Sequence, residues 1–343
     1  MKSNIVLLFR SFSVPVIGFA LFLTGCGGGS NVSPNAGIGP TQPGFITEIP
    51  HVIPSGGQLM NIVKGPDGNL WFTNGLPQIE RITPSGVVTI FAQGISANAY
   101  PVNITAGPDG NLWFTEANVE GIGRITPTGV VTEFRAGIST QAGLNSIAAG
   151  PDGNIWFTEI SGNRIGRITP NGVITEFSKG ISPNAELEDI TAGPDGNMWF
   201  TEAGGNRIGR ITPSGVITEF TNGISNSAGP FDITAGPDGN LWFTEFNGDR
   251  IGRITPSGTV TEFSSGMTKY SYPTSIAEGP DGNLWFTESL ADKIGRMTPT
   301  GTLTEYSYTL PDEADPNSIT AGPDGNMWFV LENVGEIGKI TVY

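Results

Sequence analysis

The sequence predicts an all-β fold: a seven-bladed β-propeller of four-stranded antiparallel blades, with the ring closed by the N-terminal strand. Three observations predict it. The string Gly-Pro-Asp-Gly-Asn occurs seven times, starting at Gly65, Gly107, Gly150, Gly193, Gly236, Gly279 and Gly322, with a first interval of 42 residues and then 43 throughout. Each copy but the last holds four short β-rich runs with a turn between each pair, the pattern of a propeller blade. The last copy lacks its fourth run, and the N-terminal stretch supplies a matching one.

One repeat illustrates the elements in order. Asp232-Ile233-Thr234-Ala235 is a short strand. Gly236-Pro237-Asp238-Gly239 is a turn, because Pro fixes φ and Asp-Gly tolerates positive φ. Asn240 to Glu245 is a second strand, and Asn247-Gly248-Asp249 turns into a third, Arg250 to Thr255. Pro256-Ser257-Gly258 turns again into Thr259 to Phe263, the fourth. No window after the leader sustains a helical period.

In such a ring both faces of a blade lie against neighbours, so the strands read as nearly continuous apolar runs. All seven tryptophans occupy one slot: Trp71, Trp113, Trp156, Trp199, Trp242, Trp285 and Trp328. Each buries about 150–250 Å², worth about 4–6 kcal/mol gross at about 25 cal/mol per Å². They are expected to form the core between blades. Gly44-Phe45-Ile46-Thr47-Glu48-Ile49 resembles the fourth strand Gly215 to Phe220 and is expected to complete the last blade, so that residues 44–343 form one propeller domain.

Alternating strands sort the connections onto two faces. The Gly-Pro-Asp-Gly and Thr-Pro-Ser-Gly turns share one face and hardly change along the chain. The loops between second and third strands and the links between blades share the other, and they vary; a functional site is expected there, near the channel mouth.

Residues 1–25 read as a lipoprotein signal peptide. Lys2 and Arg10 precede an apolar run, Val14 to Leu23, too short to span a bilayer, and Leu23-Thr24-Gly25-Cys26 resembles a bacterial lipobox. Cys26, the only cysteine, is the expected lipidation site, and residues 26–43 are a Gly/Ser/Asn/Pro-rich tether. The expected location is the cell envelope, lipid-anchored; Gly27 after the cysteine favours the outer membrane in a cell that has one. Without the leader, 15 basic face 32 acidic side chains, which excludes nucleic acid as a partner. A small molecule, a glycan or an envelope protein at the variable face is the expected partner, with the membrane reached through the lipid.

The strings Gly-Pro-Asp-Gly-Asn-Leu-Trp-Phe-Thr-Glu and Asn-Arg-Ile-Gly-Arg-Ile-Thr-Pro resemble the streptogramin lyases, the virginiamycin B lyase family, over residues 44–343. The resemblance implies a seven-bladed propeller and an elimination that opens the ester ring of type B streptogramins, using Mg²⁺ and histidine. It places the catalytic histidines in the first strand, in a Pro-His-x-Ile-Thr setting. It places magnesium carboxylates at the Glu ending Trp-Phe-Thr-Glu and two residues before such a histidine.

Slot by slot, this chain departs from that pattern. The histidine slot holds Met60, Val102, Asn145, Glu188, Phe231, Thr274 and Asn317. The single histidine, His51, follows the closing strand. The Trp-Phe-Thr-Glu acids are Glu116, Glu159, Glu202, Glu245 and Glu288, and three of them precede an arginine by five residues, as cross-strand ion pairs would. One blade fills the family's acid and histidine slots with Glu186 and Glu188, followed by Glu202; Asp189, by alternation, is expected to face away. Glu186, Glu188 and Glu202 are a candidate site for Mg²⁺ or Ca²⁺, which take oxygen ligands; a solvated acidic loop explains them equally. Asp312, Glu313 and Asp315 form a second acidic group.

Three functions follow. A binding propeller rests on the lipobox and the empty histidine slots. A metal-dependent carbon–oxygen lyase rests on the resemblance, with Glu188 as its candidate base. A scaffold that docks envelope proteins rests on fold, which by itself decides nothing.

Overall fold

The computed structural model describes residues 42–50, 57–307 and 310–342. Among these, strands β1 to β28 form seven four-stranded antiparallel sheets. Blade 1 is β2 (Asn61–Lys64), β3 (Leu70–Thr73), β4 (Ile79–Ile82) and β5 (Val88–Phe91). Blade 4 is β14 (Leu187–Ala192), β15 (Met198–Glu202), β16 (Arg207–Ile211) and β17 (Ile217–Phe220). Blades 2, 3 and 6 open with β6 (Pro101–Ala106), β10 (Leu144–Ala149) and β22 (Pro273–Glu278), and blade 5 opens with β18 (Pro230–Ala235) and β19 (Leu241–Glu245). Blade 7 joins β26 (Pro316–Ala321), β27 (Met327–Leu331) and β28 (Glu336–Ile340) to β1 (Ile46–Ile49), with Ile46 opposite Ile340. The N-terminal strand therefore closes the ring. The described residues contain one 3-10 turn, Ser289–Ala291, and no helix long and apolar enough to cross a membrane. The leader, Cys26 and His51 lie outside the described residues.

Blade 4 shows why the repeated residues recur. Trp199 is fully buried and packs on Ile233, Leu241 and Phe243 of blade 5, so the tryptophans form the inter-blade core. Its indole N–H donates to Asp195 of the turn at 3.0 Å. The Gly-Pro-Asp-Gly aspartate thus satisfies the one polar atom of a buried ring. Phe220 stacks on Trp199 at 5.3 Å, and the Arg210 guanidinium sits 5.5 Å above that ring. Arg210 also donates to Pro256 O of blade 5 at 3.0 Å. Gly209 is required because a Cβ there would lie 2.1 Å from the Phe200 ring.

Candidate functional site

The first strands of the seven blades contact one another in sequence and form the innermost ring, around the channel. In blades 2 to 7 this strand carries an irregularity the sequence pattern did not reveal. Leu187 pairs with Glu202 and Ile190 with Phe200, so Glu188 and Asp189 together oppose Thr201 alone. That is a β-bulge, and it recurs in the other five blades. The extra residue leaves a ladder N–H without a strand partner. Thr201 Oγ1 accepts it, from Asp189 N at 3.0 Å, and donates to Phe231 O of blade 5 at 2.7 Å. Thr115, Thr158, Thr244 and Thr287 do the same in their blades.

The bulge overturns the expectation that Asp189 faces away from Glu188. Both reach the neighbouring first strands. Asn145 Nδ2 donates to Glu188 O at 2.7 Å and to Glu188 Oε2 at 3.3 Å. Asp189 accepts from Ser146 Oγ of blade 3 and from Ile233 N of blade 5 at 3.0 Å. Asp232, the equivalent residue of blade 5, accepts from Ile276 N of blade 6 at 3.2 Å. Enclosure by protein, then the charge of Asp189, raises the Asp232 carboxyl well above the usual aspartate range. The two carboxyls share a hydrogen bond, and that of Asp189 is also raised by enclosure despite its donors. Ser146, Asp189, Asp232 and Ser275 thus form a polar chain around one side of the channel.

The candidate metal trio does not gather. Glu202 is fully buried on β15 and accepts from Arg207 Nε at 2.8 Å, with Glu219 nearby. Glu188 turns to Asn145, and Glu186 lies over Gly204 in the loop after β15. Among the described residues no three histidine, cysteine or acidic side chains meet as a metal site requires. In the second acidic group, Asp292 accepts from Glu313 N and Asp315 N at 2.9 and 3.0 Å, which clamps the last link.

Of the five Trp-Phe-Thr-Glu acids, Glu159, Glu202 and Glu245 are cross-strand partners of arginine, at 2.7 Å for Glu159–Arg164 and 3.6 Å for Glu245–Arg250, and all five are buried rather than exposed. No donor reaches either carboxyl oxygen of Glu116. Burial pushes Glu116 up to about 8, with the charge of nearby Glu133 adding to it. Burial likewise pushes Glu245 and Glu288 to about 8, and Glu159 and Glu202, each held by an arginine, to about 7.

At the mouth on the variable face, two different sectors appear. Across blades 5 and 6, Phe231, Phe246 and Tyr272 form an aromatic group, with centroids 5.5 Å and 4.9 Å apart. Near blade 7, Glu332 accepts from Gln58 Nε2 and from Asn317 Nδ2 at 2.7 Å, and burial pushes it to about 7. Sequence reasoning missed Glu332 and Asp232. Their signal was that each departs from its slot: Glu332 where other blades carry Gly, Ala, Ile, Phe or Ser, and Asp232 beside an identical Asp189.

The comparisons place this geometry. The model of the virginiamycin B lyase family matches residues 36–220 and 136–343. A streptogramin B lyase structure is 36% identical over 87% of this chain and 98% of that one, with TM-score 0.80. Virginiamycin B lyase from Staphylococcus aureus, in selenomethionine form, is 38% identical over 87% and 99%, with TM-score 0.80. The catalytically inactive histidine-to-alanine variant of the S. aureus enzyme, solved with quinupristin, is similar at 38% identity over 87% and 99%, with TM-score 0.80. Comparison with curated proteins gives no match. The match runs through all seven blades, and the chain belongs to the virginiamycin B lyase family.

Proposed function

We propose that this family member is a ligand- or partner-binding propeller that acts through its variable face, held at the cell envelope by a lipid on Cys26. The observation that carries the reading is the histidine slot. The S. aureus relative is catalytically inactive when one histidine becomes alanine. Here the seven first-strand slots hold Met60, Val102, Asn145, Glu188, Phe231, Thr274 and Asn317. Elimination needs a base to take a proton and an acid to support the leaving oxygen. Glu188, the one acid in these slots, is held by Asn145, and its neighbour across the seam is Phe231. The slots of blades 5 and 6 contribute a half-buried aromatic ring and a threonine; Thr274 Oγ1 lies 2.8 Å from Thr287 Oγ1, inside the blade.

The lipobox-like string and the Gly/Ser/Asn/Pro-rich composition of residues 26–43 support the envelope location. In a cell with two membranes, Gly27 favours the outer one. Incubation with quinupristin and Mg²⁺ tests the reading, with an unopened ring expected.

A further inference from the structure

On the variable face, where blade 4 meets blade 5, there is a cleft of about 410 Å³. Its cause is legible slot by slot. The residue two before the first-strand slot is Tyr100 in blade 2 and Tyr272 in blade 6. Tyr100 lies against Gly75 in the loop of the preceding blade, and Tyr272 packs edge-on against Phe246 of its preceding blade. In blade 5 that position is Gly229, and the loop it faces begins Ala203-Gly204, so no ring fills the space.

What remains is a polar lining. Glu186, Ser227 and Asn247 bring a carboxylate, a hydroxyl and a primary amide to the cleft. Asn206 is committed to the fold: Oδ1 accepts from Gly229 N at 3.1 Å and Nδ2 donates to Ser225 O at 2.9 Å. No lysine or arginine lines the cleft, and the chain carries a net charge of −15, so anionic ligands are repelled. Ala203 is the one apolar side chain, so a hydrophobic ligand gains little burial. A single carboxylate is a poor divalent-cation site. Paired donors and acceptors suit vicinal hydroxyls, which both give and take hydrogen bonds. The aromatic group of Phe231, Phe246 and Tyr272 lies outside the cleft, on the far side of the loop that carries Asn247.

We propose that this cleft binds a neutral saccharide. The proposal rests on the binding reading above and gives it a ligand class and a place. The test applies the full-length protein in detergent to an array of glucan and β-1,4-N-acetylglucosamine oligomers, with sialylated and sulfated glycans alongside. Oligomers that bind are then titrated against three proteins: the original, Gly229→Tyr and Glu186→Gln. Tyr272 holds φ +50° at the equivalent position, close to +63° at Gly229, so the backbone accepts tyrosine there. The new Cβ would meet only the tip of the Asn247 side chain. If Gly229→Tyr does not fold, Ala203→Phe, which copies Phe246, fills the cleft instead.

The expected result is binding of neutral oligomers but not acidic ones, weakened about tenfold or more by filling the cleft and by Glu186→Gln. No binding of any neutral oligomer would overturn the ligand class. Binding that survives the filled cleft but falls in Phe231→Ala would move the site to the channel mouth, overturning the cleft and sparing the binding reading. Opening of quinupristin would overturn that underlying reading itself.

Discussion

The carboxyls of Asp232 and Asp189 share a hydrogen bond across the seam between blades 4 and 5, on the ring of first strands that lines the channel. Two like charges so placed cannot both ionise cheaply. The Asp232 carboxyl is raised above 3.8, so its contribution to stability is complete below that value and is lost as pH rises through the raised one. Asp232→Asn keeps a donor and removes the charge, so it is expected to hold or raise the melting temperature at pH 8. Asp189→Asn removes an acceptor of Ser146 Oγ and Ile233 N and is expected to cost about 1–3 kcal/mol at pH 7. Urea denaturation of both variants checks the asymmetry.

The buried glutamates predict a pH profile. Glu116, Glu245 and Glu288 are pushed from 4.5 to about 8, and Glu159, Glu202 and Glu332 to about 7, in each case mainly by burial. The native state then binds more protons than the unfolded chain between these values, so these groups stabilise fully below 4.5 and lose their contribution as pH rises through 7 to 8. The turn aspartates run the opposite way. Indole and asparagine donors hold Asp67, Asp195 and Asp238 below 3.8 despite partial burial, so their contribution is lost as pH falls further into acid. Calorimetry is expected to give maximal thermal stability in mild acid, roughly pH 4–6, and a decline toward pH 9 that Glu245→Gln makes shallower.

Thr201 holds the bulge and the seam at once, so Thr201→Val is expected to destabilise by about 1–3 kcal/mol through an unpaired Asp189 N–H and Phe231 carbonyl. Thr201→Ser, which keeps the hydroxyl, is expected to recover most of it. Equilibrium unfolding of the pair separates loss of the hydroxyl from loss of packing.

Replacing Cys26 tests the anchor. The original chain is expected to incorporate an alkynyl palmitate label and to sediment with membranes; Cys26→Ser is expected to take up no label. Equal labelling of both would place the lipid elsewhere or nowhere on this cysteine.

Most of the fold was legible because it repeats: one period fixed blade number, strand order, the tryptophan seam and the closing role of β1. The site was less legible, for a definite reason. Alternation is a rule about regular strands, and the bulge at Glu188 and Asp189 breaks it. A repeated Thr in Trp-Phe-Thr-Glu gave no hint that its hydroxyl accepts the displaced N–H. Glu202 was read by type and position, whereas its surroundings, Arg207 and Glu219, decide its role. The cleft at Gly229 arises from an absent side chain, which a search for reactive residues passes over.

The central claim is that this member of a lyase family binds without opening a streptogramin ring. Quinupristin incubated with the protein and Mg²⁺, beside the S. aureus enzyme, tests it most directly. Elimination leaves the mass unchanged, so retention time and fragmentation in coupled chromatography and mass spectrometry are the readout. Intact cyclic quinupristin is expected with this protein and a linear product with the relative. A linear product formed by this protein and abolished by Glu188→Gln would contradict it.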